Sequence, residues 1–188
     1  MAVAPFFPEY RPFVTANGGK LVVVPADTQA FQIHLDAVEQ RITSHTQAII
    51  INSPNNPSGV VYTEETLRGL AVLLERKSAE YGHPIYIIAD EPYRELAYDG
   101  EEVAFIPAIY KDTIYCYSFS KTLSLPGERI GYVYVPGFAD DSAAVYAAVS
   151  GAARVMGHVC PPTLMQKVIQ LCAGERPDLA AYDENRNL

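Results

Sequence analysis

"QAIIINSPNNPSG", Gln47 to Gly59, sets three isoleucines in a row ahead of a cluster of Asn, Ser, Pro and Gly. A run that is apolar at both odd and even positions has no polar face. As a strand it needs cover on both sides, which is the habit of parallel or mixed sheets lying between helices. Four other runs share this character: KLVVVPA (Lys20 to Ala26), IYIIADE (Ile85 to Glu91), TIYCYSF (Thr113 to Phe119) and IGYVYVP (Ile130 to Pro136). Between Gly59 and Ile85, TEETLRGLAVLLERKSAEYG carries Leu67, Leu70, Ala71 and Leu74 on an i, i+3, i+4, i+7 stripe. Thr63 suits its N-cap, Glu64 and Glu65 suit the positive end of the helix dipole, and Gly82 marks its stop. LDAVEQRI predicts a shorter helix, and ADDSAAVYAAVSGAARVM, PTLMQKVIQLC and PDLAAYDENRN predict a helical C-terminal part. The alternation predicts an α/β fold, a three-layer domain whose mostly parallel sheet is covered by helices.

Composition narrows the partners. With 188 residues, 49% of them hydrophobic, the chain is long enough for one sizeable core. Its formal charge of −8, from 14 Lys and Arg against 22 Asp and Glu, opposes a nucleic-acid surface, which needs clustered cations. Small molecules are the expected partners. No apolar stretch approaches the roughly 20 residues of a spanning helix, and the prolines of MAVAPFFPEYRPF interrupt what a signal peptide would leave unbroken. The expected location is cytoplasmic, away from membranes. The odd set Cys116, Cys160 and Cys172 has no CxxC spacing and fits reduced thiols, while the four histidines form no zinc pattern, so no metal site is predicted.

In open α/β sheets ligands gather beyond the carboxyl ends of the strands. Those positions here hold Asn55-Asn56-Pro57-Ser58-Gly59, then Asp90-Glu91-Pro92-Tyr93, then Ser118-Phe119-Ser120-Lys121. Each has a plain alternative. Asn, Pro and Gly are ordinary turn residues; the acidic pair also reads as a helix cap or a solvated turn; Lys121 and Arg129 also read as surface charges. Together, in order and each at a strand end, they match one chemistry. Pyridoxal phosphate catalysis needs a lysine amine for the aldehyde, a carboxylate for the pyridine nitrogen, and cationic and hydroxyl donors for the phosphate.

The same residues resemble the class I and II aminotransferases, fold-type I enzymes that include aspartate aminotransferase. Asn56 to Gly59 matches the family's Asn-Pro-[Ser/Thr]-Gly, which implies that Asn56 bonds the ring hydroxyl oxygen. Asp90 resembles the partner of the pyridinium nitrogen, and Tyr93 the phenol that also bonds the ring oxygen. Lys121, in Ser-x-Ser-Lys, resembles the aldimine lysine. Ser118 and Arg129 match phosphate ligands, with Arg129 eight residues after Lys121 and able to offer a planar fork to two oxygens; Ser120 adds a second hydroxyl to the cofactor-binding set. Pro5-Phe6-Phe7 resembles the stretch whose ring stacks on the cofactor, which implies that role for Phe7. An ordinary core phenylalanine is the alternative there. The implied activity moves an amino group between an L-amino acid and a 2-oxo acid, with Lys121, Asp90 and Tyr93 catalytic and pyridoxal 5′-phosphate as cofactor.

The resemblance covers the whole chain but only the middle of the family's large domain, so residues 1–188 read as part of that domain. The upstream phosphate turn, the downstream small domain with its carboxylate-binding arginine, and the residues a second subunit lends in the expected homodimer lie outside the motifs found. The final helix lacks a stop signal before Leu188. Arg154 sits where some relatives present a residue across the dimer interface, although a plain surface helix explains it better. A carbon-sulfur β-lyase would use nearly the same cofactor residues, and an inactive cofactor-binding fragment or regulatory module stays open too.

Overall fold

A computed structural model describes residues 1–172 and 174–188. Its centre is a six-stranded sheet built from β1 (Ala2–Val3), β2 (Val23–Val24), β3 (Ala48–Asn52), β4 (Tyr86–Asp90), β5 (Thr113–Ser118) and β6 (Gly131–Tyr134). The spatial order is β2-β1-β3-β4-β5-β6, parallel throughout except that β6 runs antiparallel to β5. The mostly parallel sheet expected from the apolar runs is present. Two details differ: KLVVVPA contributes only two strand residues, Pro25 having no N–H for a ladder, and a sixth strand, outside the five apolar runs, occupies Ala2–Val3.

Alternation along the strands sorts the layers. Ile49, Ile51, Ile87, Ala89 and Tyr115 point to one face and pack into a core with Leu67, Leu70, Ala71 and Leu74 of α3 (Glu64–Tyr81) and Val38 of α2 (Leu35–Glu39). The α3 boundaries follow from its caps. The Thr63 hydroxyl accepts from the Thr66 N–H at 3.2 Å, and Gly82 closes the helix in the left-handed region at φ +74°, where a Cβ would be strained. On the opposite face α1 (Tyr10–Thr15) brings Tyr10 against Ala2, Leu21 and Ile50. After β5 come the single turn α4 (Phe119–Thr122), β6, and the helices α5 (Ser142–Val155), α6 (Thr163–Leu171) and α7 (Leu179–Arg186). The stripe of α5 to α7 buries no residue among those described.

The connectivity fixes where a ligand belongs. From β1 the chain crosses to β2 on one side, then returns past β1 to β3 on the other, so the crossovers part between β1 and β3. The crevice beyond the strand ends at such a switch point is the usual ligand position of an open α/β sheet. Because β6 is antiparallel, its beginning rather than its end lies at that same rim, which carries Arg129 there.

Candidate active site

The rim is assembled by register. Asn52 pairs with Asp90, and Asp90 with Cys116, so the last residues of β3 and β4 stand level with Cys116 of β5, which runs two residues further to Ser118. Asn52 is buried, and its amide ties the loops beyond them: Nδ2 donates to the Asp90 carbonyl at 2.6 Å, while Oδ1 accepts the Asn56 N–H at 2.7 Å. Asn55, also buried, closes the following turn by accepting the Ser58 N–H at 3.0 Å and the Ser58 hydroxyl at 2.8 Å. Asn56 is thereby aimed along the rim, and its Nδ2 donates to the Tyr93 phenol at 3.2 Å.

Lys121 follows from α4. Ser118 caps that turn by accepting the Ser120 N–H at 3.1 Å, and the two serine hydroxyls meet at 2.7 Å. The turn carries the Lys121 ammonium to 5.7 Å from the Tyr93 ring centroid, within cation–π range. Asn56, Tyr93 and Lys121 therefore form one contiguous group, with Ser118 and Ser120 next to it in the chain. Arg129 is held by its backbone. The Phe119 N–H donates to the Ile130 carbonyl at 3.1 Å, and Arg129 itself sits in the left-handed region at φ +51°. Such a conformation is costly for a residue with a Cβ and clusters at functional sites. Its exposed guanidinium donates to the Pro126 carbonyl at 2.9 Å and makes no hydrogen bond to Ser118 or Ser120 among the described residues.

Asp90 is partly buried at the rim. Burial pushes its carboxyl pKa up, and a hydrogen bond from Tyr10 at 2.5 Å pulls it back. Beside it, burial pushes the Cys116 thiol up to about 12, reinforced by the Asp90 charge, so the thiol is neutral. Phe7 is no core residue: it is 37% exposed and meets the Tyr10 ring edge-on at 5.9 Å. Arg154 lies exposed on α5. A cleft of about 930 Å³ lies elsewhere, among Arg94, Glu95, Tyr117, Phe119 and Tyr132, on the core side of the hairpin.

The sequence model of "Aminotransferase class I and II" matches residues 1–186. The chain belongs to this family. It is 29% identical over 187 residues to the aromatic-amino-acid aminotransferase 2 of Thermococcus litoralis, covering 97% of this chain and 45% of that protein. It is 37% identical over 139 residues to a probable aspartate/prephenate aminotransferase of Aquifex aeolicus, covering 71% of this chain and 34% of that one. The crystal structure of an aminotransferase from Eubacterium rectale superposes with a TM-score of 0.96 at 60% identity, over 99% of this chain and 47% of that one. The chain thus spans less than half the length of these relatives. All three cysteines are free thiols. No helix among the described residues is long and apolar enough to cross a membrane.

Three residues of the rim escape the motifs: Tyr10, Asn52 and Cys116. The alternation of β4 also parts the neighbours of the acidic pair. Asp90 faces the site, whereas Glu91 is fully buried on the core side, so it is neither a solvated turn residue nor a cap.

Proposed function

We propose that the full-length protein is a pyridoxal phosphate-dependent aminotransferase, and that residues 1–188 are part of its large, cofactor-binding domain. The observation that carries this reading is the contiguous group Asn56–Tyr93–Lys121 together with Asp90 at the same rim, a partly buried, desolvated carboxylate that forms no salt bridge among the described residues. A partly desolvated anion favours a cation beside it, and a protonated pyridine nitrogen would answer that need. The donor set fits the rest of the cofactor: Asn56 and Tyr93 for the ring hydroxyl oxygen, Ser118, Ser120 and Arg129 for the phosphate, Phe7 for a ring face and Lys121 for the aldehyde.

When bound, pyridoxal phosphate supplies an electron sink that stabilises negative charge at the substrate α-carbon. The protein's own contributions are positional and protonic. Asp90 would hold the ring nitrogen protonated. The Lys121 amine, once free, would take the substrate α-proton and hold it for redelivery, and the Tyr93 ring 5.7 Å from that nitrogen would keep the amine at the rim. The overall exchange would turn an L-amino acid and a second 2-oxo acid into a 2-oxo acid and a new L-amino acid. The acidic chain with free thiols fits a cytoplasmic enzyme, and the family resemblance fits a homodimer.

Borohydride reduction of the full-length protein, followed by peptide mapping, tests the assignment. The expected adduct is on Lys121. An adduct on Lys77 or Lys111, or none, refutes it. A panel of L-amino acids should yield 2-oxo acids without release of ammonia; release of ammonia with pyruvate would indicate the carbon-sulfur lyase instead.

A further inference from the structure

Tyr10 opens α1 directly behind β1, on the far side of β3 from Asp90, and its phenol crosses that gap to donate to Asp90 Oδ2 at 2.5 Å. The ring is only 7% exposed and packed on two sides. Phe6 stacks on it at 6.2 Å and 13°, and Phe7 meets it edge-on. Burial, and then the Asp90 charge, push the phenol pKa far above its ordinary value, so at neutral pH this group is always a donor. No other group beside Asp90 donates to its carboxylate among the described residues. Cys116 on β5 is a neutral thiol, the Tyr93 phenol accepts from Asn56 and makes no hydrogen bond to Asp90, and the Asn52 amide binds the Asp90 carbonyl rather than its carboxylate. Among the described residues Tyr10 is the one hydrogen-bond donor to this carboxylate, and Oδ1 has none.

We propose that Tyr10 is a positioning residue for Asp90: its phenol fixes one carboxylate oxygen, favours the charged form inside the protein, and leaves Oδ1 to meet the ring nitrogen of the cofactor. A donor to the charged form stabilises it, and here that bond opposes the desolvation of the carboxylate. The two rings flanking Tyr10 fix the line of approach. The segment after β1 thus acts on a group 80 residues away through one hydrogen bond. The last clause of the proposal rests on the cofactor role given to Asp90 above.

The test uses the full-length protein. Tyr10→Phe keeps the ring packing and deletes only the hydroxyl. In the cofactor-free protein, the carbon-13 carboxyl resonance of Asp90 should titrate at higher pH in Tyr10→Phe, its acid dissociation weakened roughly ten- to a hundredfold. Tyr93→Phe, which removes a phenol not bonded to Asp90, should move the Asp90 titration by less than about threefold. In the loaded protein, Tyr10→Phe should lower kcat of the amino-acid half-reaction while leaving KM within a few-fold. An unchanged Asp90 titration in Tyr10→Phe overturns the proposal. A shifted titration with an unchanged half-reaction overturns the cofactor role of Asp90 while the hydrogen-bond role of Tyr10 stands. Should Tyr10→Phe not fold, 3-fluorotyrosine in place of Tyr10, a stronger donor, should move the titration to lower pH, and no movement is again a refutation.

Discussion

Glu91→Gln should abolish a stability loss that the wild-type protein suffers as pH rises from about 4.5 to about 7. Glu91 is fully buried on the core side of β4. Its Oε2 accepts from Arg94 at 2.8 Å, while Oε1 is buried without a hydrogen-bond partner. Burial pushes the carboxyl up to about 7 from an ordinary 4.5, and the Arg94 contact offsets only part of that. Between those two values the native state holds a proton that the unfolded chain has released. Stability therefore falls with rising pH, at about 1.4 kcal/mol per unit, to a total on the order of 3 kcal/mol. Gln keeps the shape and can still accept from Arg94, but it does not titrate. Urea denaturation of both full-length proteins at pH 4.5, 5.5, 6.5 and 7.5, each roughly spaced across that interval, gives the difference directly, since all other titrating groups cancel. The variant should gain about 3 kcal/mol on the wild type from the lowest to the highest pH. Parallel stability curves would show that Glu91 is ionised throughout and that Arg94 fully compensates its burial.

Three further outcomes follow from the same geometry. Asn52→Ala leaves the Asp90 carbonyl and the Asn56 N–H without partners in a buried setting and should cost about 2–4 kcal/mol of unfolding free energy; a loss below about 1 kcal/mol in chemical denaturation would mean that water replaces the amide. Asp90→Ala removes the counter-charge proposed for the pyridinium, so turnover should fall by orders of magnitude while cofactor absorbance persists; turnover within a few-fold of wild type would make Asp90 a structural carboxylate. The 188-residue chain alone should fold, because the core between α3 and the sheet is complete within it, yet transaminate poorly beside the full-length protein; near-parental half-reaction rates would show that its own rim suffices.

What could be read from the sequence was whatever depends on neighbours in the chain. The cap at Thr63, the stop at Gly82 and the continuous apolarity of Ile49 to Ile51 and Ile85 to Ala89 are local signals, and α3, β3 and β4 formed where they point. Asn56, Tyr93 and Lys121 were legible for a different reason: each follows a strand, and parallel strands deliver their ends to one rim. Partners set by tertiary distance were not legible. Nothing near Tyr10 announces Asp90, because the contact depends on β1 lying beside β3, and β1 is a two-residue strand too short to show a period. The direction of β6 was hidden as well. Its apolar run reads like the others, and only the reversal through α4 turns Arg129 toward the rim. The opposite faces of Asp90 and Glu91 were available from strand alternation, but the pair sits where strand gives way to turn, and there the period of two loses its authority.

Gly131 lies opposite Ser118 in the antiparallel pair, and a Cβ built there would stand 2.3 Å from the Tyr117 carbonyl oxygen. No side chain fits without prying β5 from β6. The hydrogen bond from Phe119 to Ile130 sits one step along the same ladder, so the strand spacing at this glycine also sets the distance between the lysine-bearing turn and the arginine-bearing loop. In a saturation library, position 131 should tolerate almost nothing, whereas Gly127, with no atom within 4 Å of its missing methyl, should accept many residues. Two glycines four residues apart, one in the turn before β6 and one opening that strand, would thus show opposite mutational tolerance, and the intolerant one would mark a spacer between the lysine-bearing turn and the arginine-bearing loop.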